Sequence, residues 1–220
     1  MTQRLEAALT ASRWLGIKEK SKEHRQILEV YNAIRPLPSG YALKQTDPWC
    51  AAFVSAVSVM AGVGKLVPLE CSCSRMIEKA RKMGIWVEDD DHVPKIGDWV
   101  LYNWDAGSSG DDTGAPDHVG IIAGLEKGEF LVVEGNYDNA VKLRRVPVND
   151  RKIRGFVGPK YQSTEECMRY HTLEEIPAYA RATIRKLMED GSLKGISEDD
   201  LGLTEDLVRT LVILDRRGIL

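Results

Sequence analysis

A chain of 220 residues has room for one good-sized core and a small appendage, and is too short for three domains. Apolar residues make up 43% and charged residues 29%, and the longest apolar stretch, 51–63, is short and broken by serines, so no membrane span and no membrane partner are expected. With 30 Lys and Arg against 33 Asp and Glu, a net charge of −3 and a pI near 5.9, no basic surface is available for nucleic acid.

The opening "MTQRLEAALTASRWLG" carries Glu6 and reads as an amphipathic helix, not as a signal peptide with a charged start and an apolar middle. In "KEHRQILEVYNAI" the residues Ile27, Val30, Tyr31 and Ile34 recur at the helical period until "RPLPSG" stops them. Pro48 to Ala61 is apolar on nearly every face, which predicts a helix buried in mid-domain, and a further helix is predicted over Ser74 to Met83. The character then changes. "GDWVLYN" (97–103), "HVGIIAG" (118–124), "EFLVVEGN" (129–136), "AVKLRRVPV" (140–148) and "IRGFVG" (153–158) are short, β-branched or aromatic, and separated by turn residues, as in an antiparallel sheet or small barrel. Helices first and strands second predict an α+β domain over 1–161. Within it, "WDAGSSGDDTGAP" (104–116) is a long Gly/Asp loop of the kind that often carries function. A linker over 162–175 and an all-α helical pair over 176–220 are expected to follow. Ala180, Ile184 and Leu187 form one stripe of that pair, and Leu207, Leu211 and Leu214 the other, with Thr204 as an N-cap.

The chemistry centres on "DPWCAAFVSA" (47–56). Asp47 suits an N-cap and Pro48 the first helical position, which would put Cys50 third, where free N–H groups and the helix dipole favour a thiolate. Taken alone, a cysteine at such a place is more often a small core residue. A nucleophile needs a base. His24 on a charged helix face, His92 in a polar turn and His171 in the linker read as solvated, whereas His118 opens a strand directly after the long loop and can face a cleft. The next strand offers Glu134 and Asn136, which the two-residue period puts on one side, as acceptors that could orient the imidazole. Trp49, Trp104 and Tyr137 are candidates for a substrate groove, Trp49 equally for core packing.

The blocks "WCAAFVS", "GDWVLYNW", "DHVGII" and "VVEGN" occur in the order and context of the CHAP family of cysteine peptidases and amidases that cut peptidoglycan, and the resemblance covers about residues 10 to 161. It implies a papain-like fold with Cys50 as nucleophile, His118 as base, Glu134 as third member and Asn136 assisting. The domain also resembles the lysin modules of prophages, so the expected partner is bacterial cell-wall peptidoglycan, reached after release by a holin or delivery on a phage particle from an otherwise cytoplasmic protein. An NlpC/P60-type endopeptidase, an amidase of a small peptide conjugate, and a catalytically inactive wall-binding or phage structural module are the alternatives.

No cofactor is expected. Some CHAP enzymes bind calcium in an aspartate-rich loop ahead of the nucleophile, but here that stretch, "SGYALKQTDPWC", has a single Asp, while Asp111, Asp112 and Asp117 read as solvated turn residues. Four cysteines, at 50, 71, 73 and 167, are expected to be free thiols, without a structural metal. "IPAYARATIRKLMEDGSLKG" is similar to the first part of an S-layer-homology repeat, a wall anchor. The tail from 163 onward is acidic, with 8 Lys and Arg against 12 Asp and Glu, and so poorly suited to anionic polymers. Its apolar stripes favour a homodimer through a four-helix contact.

Overall fold

The computed structural model describes residues 2–89, 92–104, 113–162, 169–195, 197 and 200–218. The chain divides into two compact units, Met1–Tyr161 and Gln162–Leu220.

In the first unit, α1 (Gln3–Ser12), α2 (Lys22–Asn32), α3 (Cys50–Met60) and α4 (Cys73–Lys82) precede most of the sheet. The sheet strands are β1 (Trp86–Val87), β2 (Trp99–Tyr102), β3 (His118–Glu126), β4 (Glu129–Tyr137), β5 (Ala140–Pro147) and β6 (Ile153–Val157). They form one six-stranded sheet in the order β1-β6-β2-β3-β4-β5, with neighbours antiparallel throughout. The unit is therefore α+β, helices against an antiparallel sheet. Thr2, Ser21 and Ser72 cap α1, α2 and α4 by accepting backbone N–H bonds from Leu5, His24 and Arg75.

Helix α3 is buried from Cys50 through Ser58, as a helix without a polar face must be, and it packs against α2 and strands β3 and β4. The sheet presents a different set of side chains on each face. Trp99, Leu101, Val119, Ile121 and Val133 join the main core with α3, while Val100, Tyr102, Ile122, Val132 and Phe156 join a second cluster. Glycine lets the layers approach. A methyl group on Gly135 would sit 2.5 Å from Phe53 of α3, so only glycine admits the helix against β4 there.

Two expected helix starts move. Helix α3 begins at Cys50 itself, with Trp49 as its uncapped flanking residue; Asp47 instead accepts from the Lys44 N–H and the Tyr41 hydroxyl, closing the preceding turn. Helix α4 begins at Cys73, one residue earlier than the periodicity predicts.

The second unit is not purely helical. Helices α5 (Arg181–Glu189) and α6 (Glu205–Arg216) are accompanied by a two-stranded ribbon, in which β7 (Arg169–Tyr170), ahead of α5, pairs with β8 (Leu203–Thr204), directly ahead of α6. Tyr170 is buried with Ile176, Ala180 and Ile184, so the later part of the expected linker belongs to the unit's core. On α6 the buried face is Val208 and Val212, with Leu211 partly covered and Leu207 exposed. The α5 stripe of Ala180, Ile184 and Leu187 is thus covered within the unit, whereas the stripe predicted on α6 is not the buried one: Leu207 is exposed, and Leu211 and Leu214 are only half-buried. Cys167, Asp111 and Asp112 lie outside the described residues.

Candidate active site

Cys50 occupies the first position of α3, among N–H groups that no helical carbonyl satisfies. Its thiol is held well below the usual value. The Cys73 thiol donates a hydrogen bond to it, burial works against ionisation, and the His118 ring and the Ala51 N–H both stabilise the thiolate. Cys73 moves the opposite way, because its bond to Cys50 and its burial both favour the protonated thiol. The two cysteines begin α3 and α4, so two helix starts converge on one sulfur.

His118 opens β3 opposite Tyr102 and is 5% exposed. Burial disfavours its charged form, but hydrogen bonding to Cys50 and the charges of Cys50 and Glu134 outweigh that and raise it to about 9. The two shifts run in complementary directions, the thiol toward its ionised form and the ring toward its charged form, so the pair favours thiolate and imidazolium.

Glu134 is fully buried on β4, its Oε2 3.7 Å from His118 Nε2. Gly120 makes this possible, since a Cβ there would fall 2.6 Å from Glu134 Cγ and 2.5 Å from Val132. Burial works to raise the Glu134 carboxyl, yet His118 and Arg144 hold it below the usual range. At 3.7 Å the imidazole contact is an ion pair beyond hydrogen-bond length, and Nε2 is buried with no hydrogen bond among the described residues.

The bonds to Glu134 come from Arg144 of β5, whose Nε and Nη2 donate to the two carboxylate oxygens at 2.5 and 3.0 Å. Arg144 did not emerge from the sequence. The signal was there in the hairpin: the two-residue turn at Asp138 and Asn139, both at positive φ, sets Glu134 opposite Lys142 and leaves Arg144 one diagonal step away.

The remaining candidates separate. Trp104 stacks on His118 at 4.6 Å between ring centres and meets Tyr137 edge-on at 5.6 Å, so these two aromatic residues flank the imidazole. Trp49 has no exposed surface and packs on His24 at 4.6 Å, which makes it core and not groove. His24, expected to be solvated, is buried; its Nδ1 accepts from the Lys20 N–H, and burial lowers its basicity. His92 packs against Phe156, and His171 pairs with Asp200 at 2.8 Å in the second unit. Asn136 sits at φ 59 inside a bulge between Glu134 and Tyr137. The bulge breaks the alternation that had grouped it with Glu134. Asp117 is exposed, as expected, and its carboxylate accepts from the Trp104 N–H at 2.8 Å, which pins the base of the long loop. No cluster of three metal-ligating side chains occurs among the described residues.

Iodoacetamide at pH 6.5 is expected to alkylate Cys50 before Cys73, and Cys73→Ala should slow Cys50 labelling by about tenfold through loss of the S–H donor. Peptide mapping of timed reactions reads both rates. Equal labelling of the two cysteines would contradict the assignment of the thiolate to Cys50.

Fold and site together define the class: an α+β unit carrying a helix-start thiol, an imidazole at a strand start and a buried carboxylate. Residues 7–167 match the model of a family described as an uncharacterized protein conserved in bacteria (DUF2272), and the chain belongs to that family. No curated protein and no solved structure matches it.

Proposed function

We propose that this chain is a cysteine peptidase or amidase that cuts an amide bond of bacterial cell-wall peptide. The observation that carries the chemistry is the Cys50 thiol at a helix start, coupled to an imidazole that a buried carboxylate backs. The substrate class rests on the resemblance of the four sequence blocks to CHAP enzymes.

The Cys50 thiolate would attack the amide carbonyl, forming a C–S bond and pushing the π electrons onto oxygen. The Cys50 backbone N–H, which at the first position of α3 has no helical carbonyl to bond, would be one donor for that oxyanion. Collapse breaks the C–N bond as the His118 imidazolium protonates the leaving amine. The neutral ring then takes a proton from water, whose oxygen attacks the thioester and restores the thiolate. Glu134 supports the charged ring. Trp104 and Tyr137 would line the substrate's approach.

The deciding experiment is mass spectrometry of muropeptides after digestion of purified wall, which identifies the new amine and carboxylate ends and so names the bond. A wall unchanged by the protein, with Cys50 reduced, would sink the proposal. Because the leaving amine must be protonated, activity should fall on the alkaline side with a midpoint near pH 9, where His118 loses its proton. A second reading, an amidase of a small peptide conjugate, draws support from the burial of the site: Cys50 and His118 are 7% and 5% exposed. Turnover of soluble muropeptides but not of polymeric wall would favour it. In the first reading the second unit serves as a wall anchor or self-association module, and the protein reaches the wall through a holin or a phage particle.

A further inference from the structure

Glu134 makes its two hydrogen bonds to Arg144 and only the longer ion-pair contact to His118. The guanidinium is itself fixed. It lies 5.1 Å from the Tyr102 ring centre, 5.5 Å from Trp104 and 4.8 Å from Tyr137, so three aromatic faces surround the cation and its side chain keeps only 25% exposure. A bidentate fork onto a carboxylate fixes both its plane and its distance, which a lysine cannot do. The same rings that flank the imidazole therefore also hold the arginine that orients its carboxylate.

We propose that Arg144 is a positioning residue for the Cys50–His118 chemistry: its guanidinium fixes the Glu134 carboxylate and shares that charge with the imidazole, so that Glu134 orients His118 without binding its proton too tightly. The inference rests on the hydrolase reading above for its consequence in turnover, but not for its electrostatics. A carboxylate serving the imidazole alone would stabilise the imidazolium further and make it a poor acid toward a leaving amine. The groups around the ring are Cys50 from α3, Tyr102 from β2, Glu134 and Tyr137 from β4 and Arg144 from β5, with Cys73 of α4 reaching it through Cys50. Of these, Arg144 is the side chain with a permanent positive charge. Removing that charge and freeing Glu134 to swing toward Nε2 both act in the same direction, toward a more basic ring.

The experiment is a ring-nitrogen NMR titration of His118 in the wild type, Arg144→Lys and Arg144→Met, run beside hydrolysis of soluble muropeptides. Arg144→Met should raise the His118 midpoint by about one unit or more and cut kcat by about 100-fold, with KM changed little. Arg144→Lys keeps the charge and loses the fork, so its midpoint should stay close to the wild-type value while kcat still falls. If Arg144→Met does not fold, as judged by circular dichroism, Arg144→Gln takes its place. An unchanged or lowered midpoint in a folded, charge-free variant overturns the proposal, as does a wild-type kcat in Arg144→Lys. Should the wild type hydrolyse no wall peptide, the titration still decides the role of Arg144, and the substrate reading fails by itself.

Discussion

Cys50→Ala should abolish wall-peptide hydrolysis, with a loss of at least about 1,000-fold, while the protein remains folded. The fold has little to lose. Cys50 lies at the end of α3, and the helix retains the burial of Ala51 through Ser58 and its packing on β3 and β4 without the sulfur. His118→Gln should cost as much, because it removes both the acid for the leaving amine and the positive charge that keeps the thiolate ionised. The double variant should be scarcely worse than either single one, since the two side chains act as a unit. Release of soluble wall fragments measures all three. Residual turnover of Cys50→Ala above one tenth of wild type would move the nucleophile elsewhere.

The second large effect concerns a glycine with no chemistry of its own. Gly120→Ala should lower kcat by about 100-fold and cost about 1–3 kcal/mol of stability, because the new methyl would lie 2.6 Å from Glu134 Cγ and 3.1 Å from the Val133 carbonyl. Neither neighbour can give way freely. Glu134 is held by Arg144, and Val133 is locked in the ladder opposite Ile121. The carboxylate is therefore displaced from His118 while the thiol stays in place. Cys50 should still be alkylated at a measurable rate although hydrolysis falls, a dissociation that thermal unfolding and timed labelling would show. Gly135→Ala, by contrast, meets Phe53 in the core and should reduce stability and both readouts together.

How much of this lay open in the sequence follows from the range of each interaction. Helix periodicity, serine caps and short β-branched strands are local, so the order of elements over 1–161 and the α+β class were legible. The pairing of Cys50 with His118 and of His118 with Glu134 could be proposed because Cys50 begins a helix, His118 begins a strand, and Glu134 is a polar residue in an otherwise apolar stretch of the next strand. Cys73 could not. Its approach to Cys50 depends on how α4 meets α3, a packing that neither local pattern encodes. His24 was misplaced for a similar reason: it lies in a polar-looking stretch, yet its ring packs on Trp49, for which the sequence allows core packing as one of two readings. Asn136 shows the limit of strand alternation, since one bulge takes a residue out of phase.

The indole of Trp104 lies against the His118 ring, 4.6 Å between centres and tilted by 39°. An imidazolium at that separation quenches indole emission far more than a neutral imidazole does, so the protein carries its own optical reporter of the proton that matters. Emission should brighten as the ring discharges near pH 9, and Trp104→Phe should remove that step while leaving the signals of Trp49 and the other tryptophans unaltered. A stopped-flow trace of this one fluorophore could then follow the imidazole through a turnover, in real time and without a label.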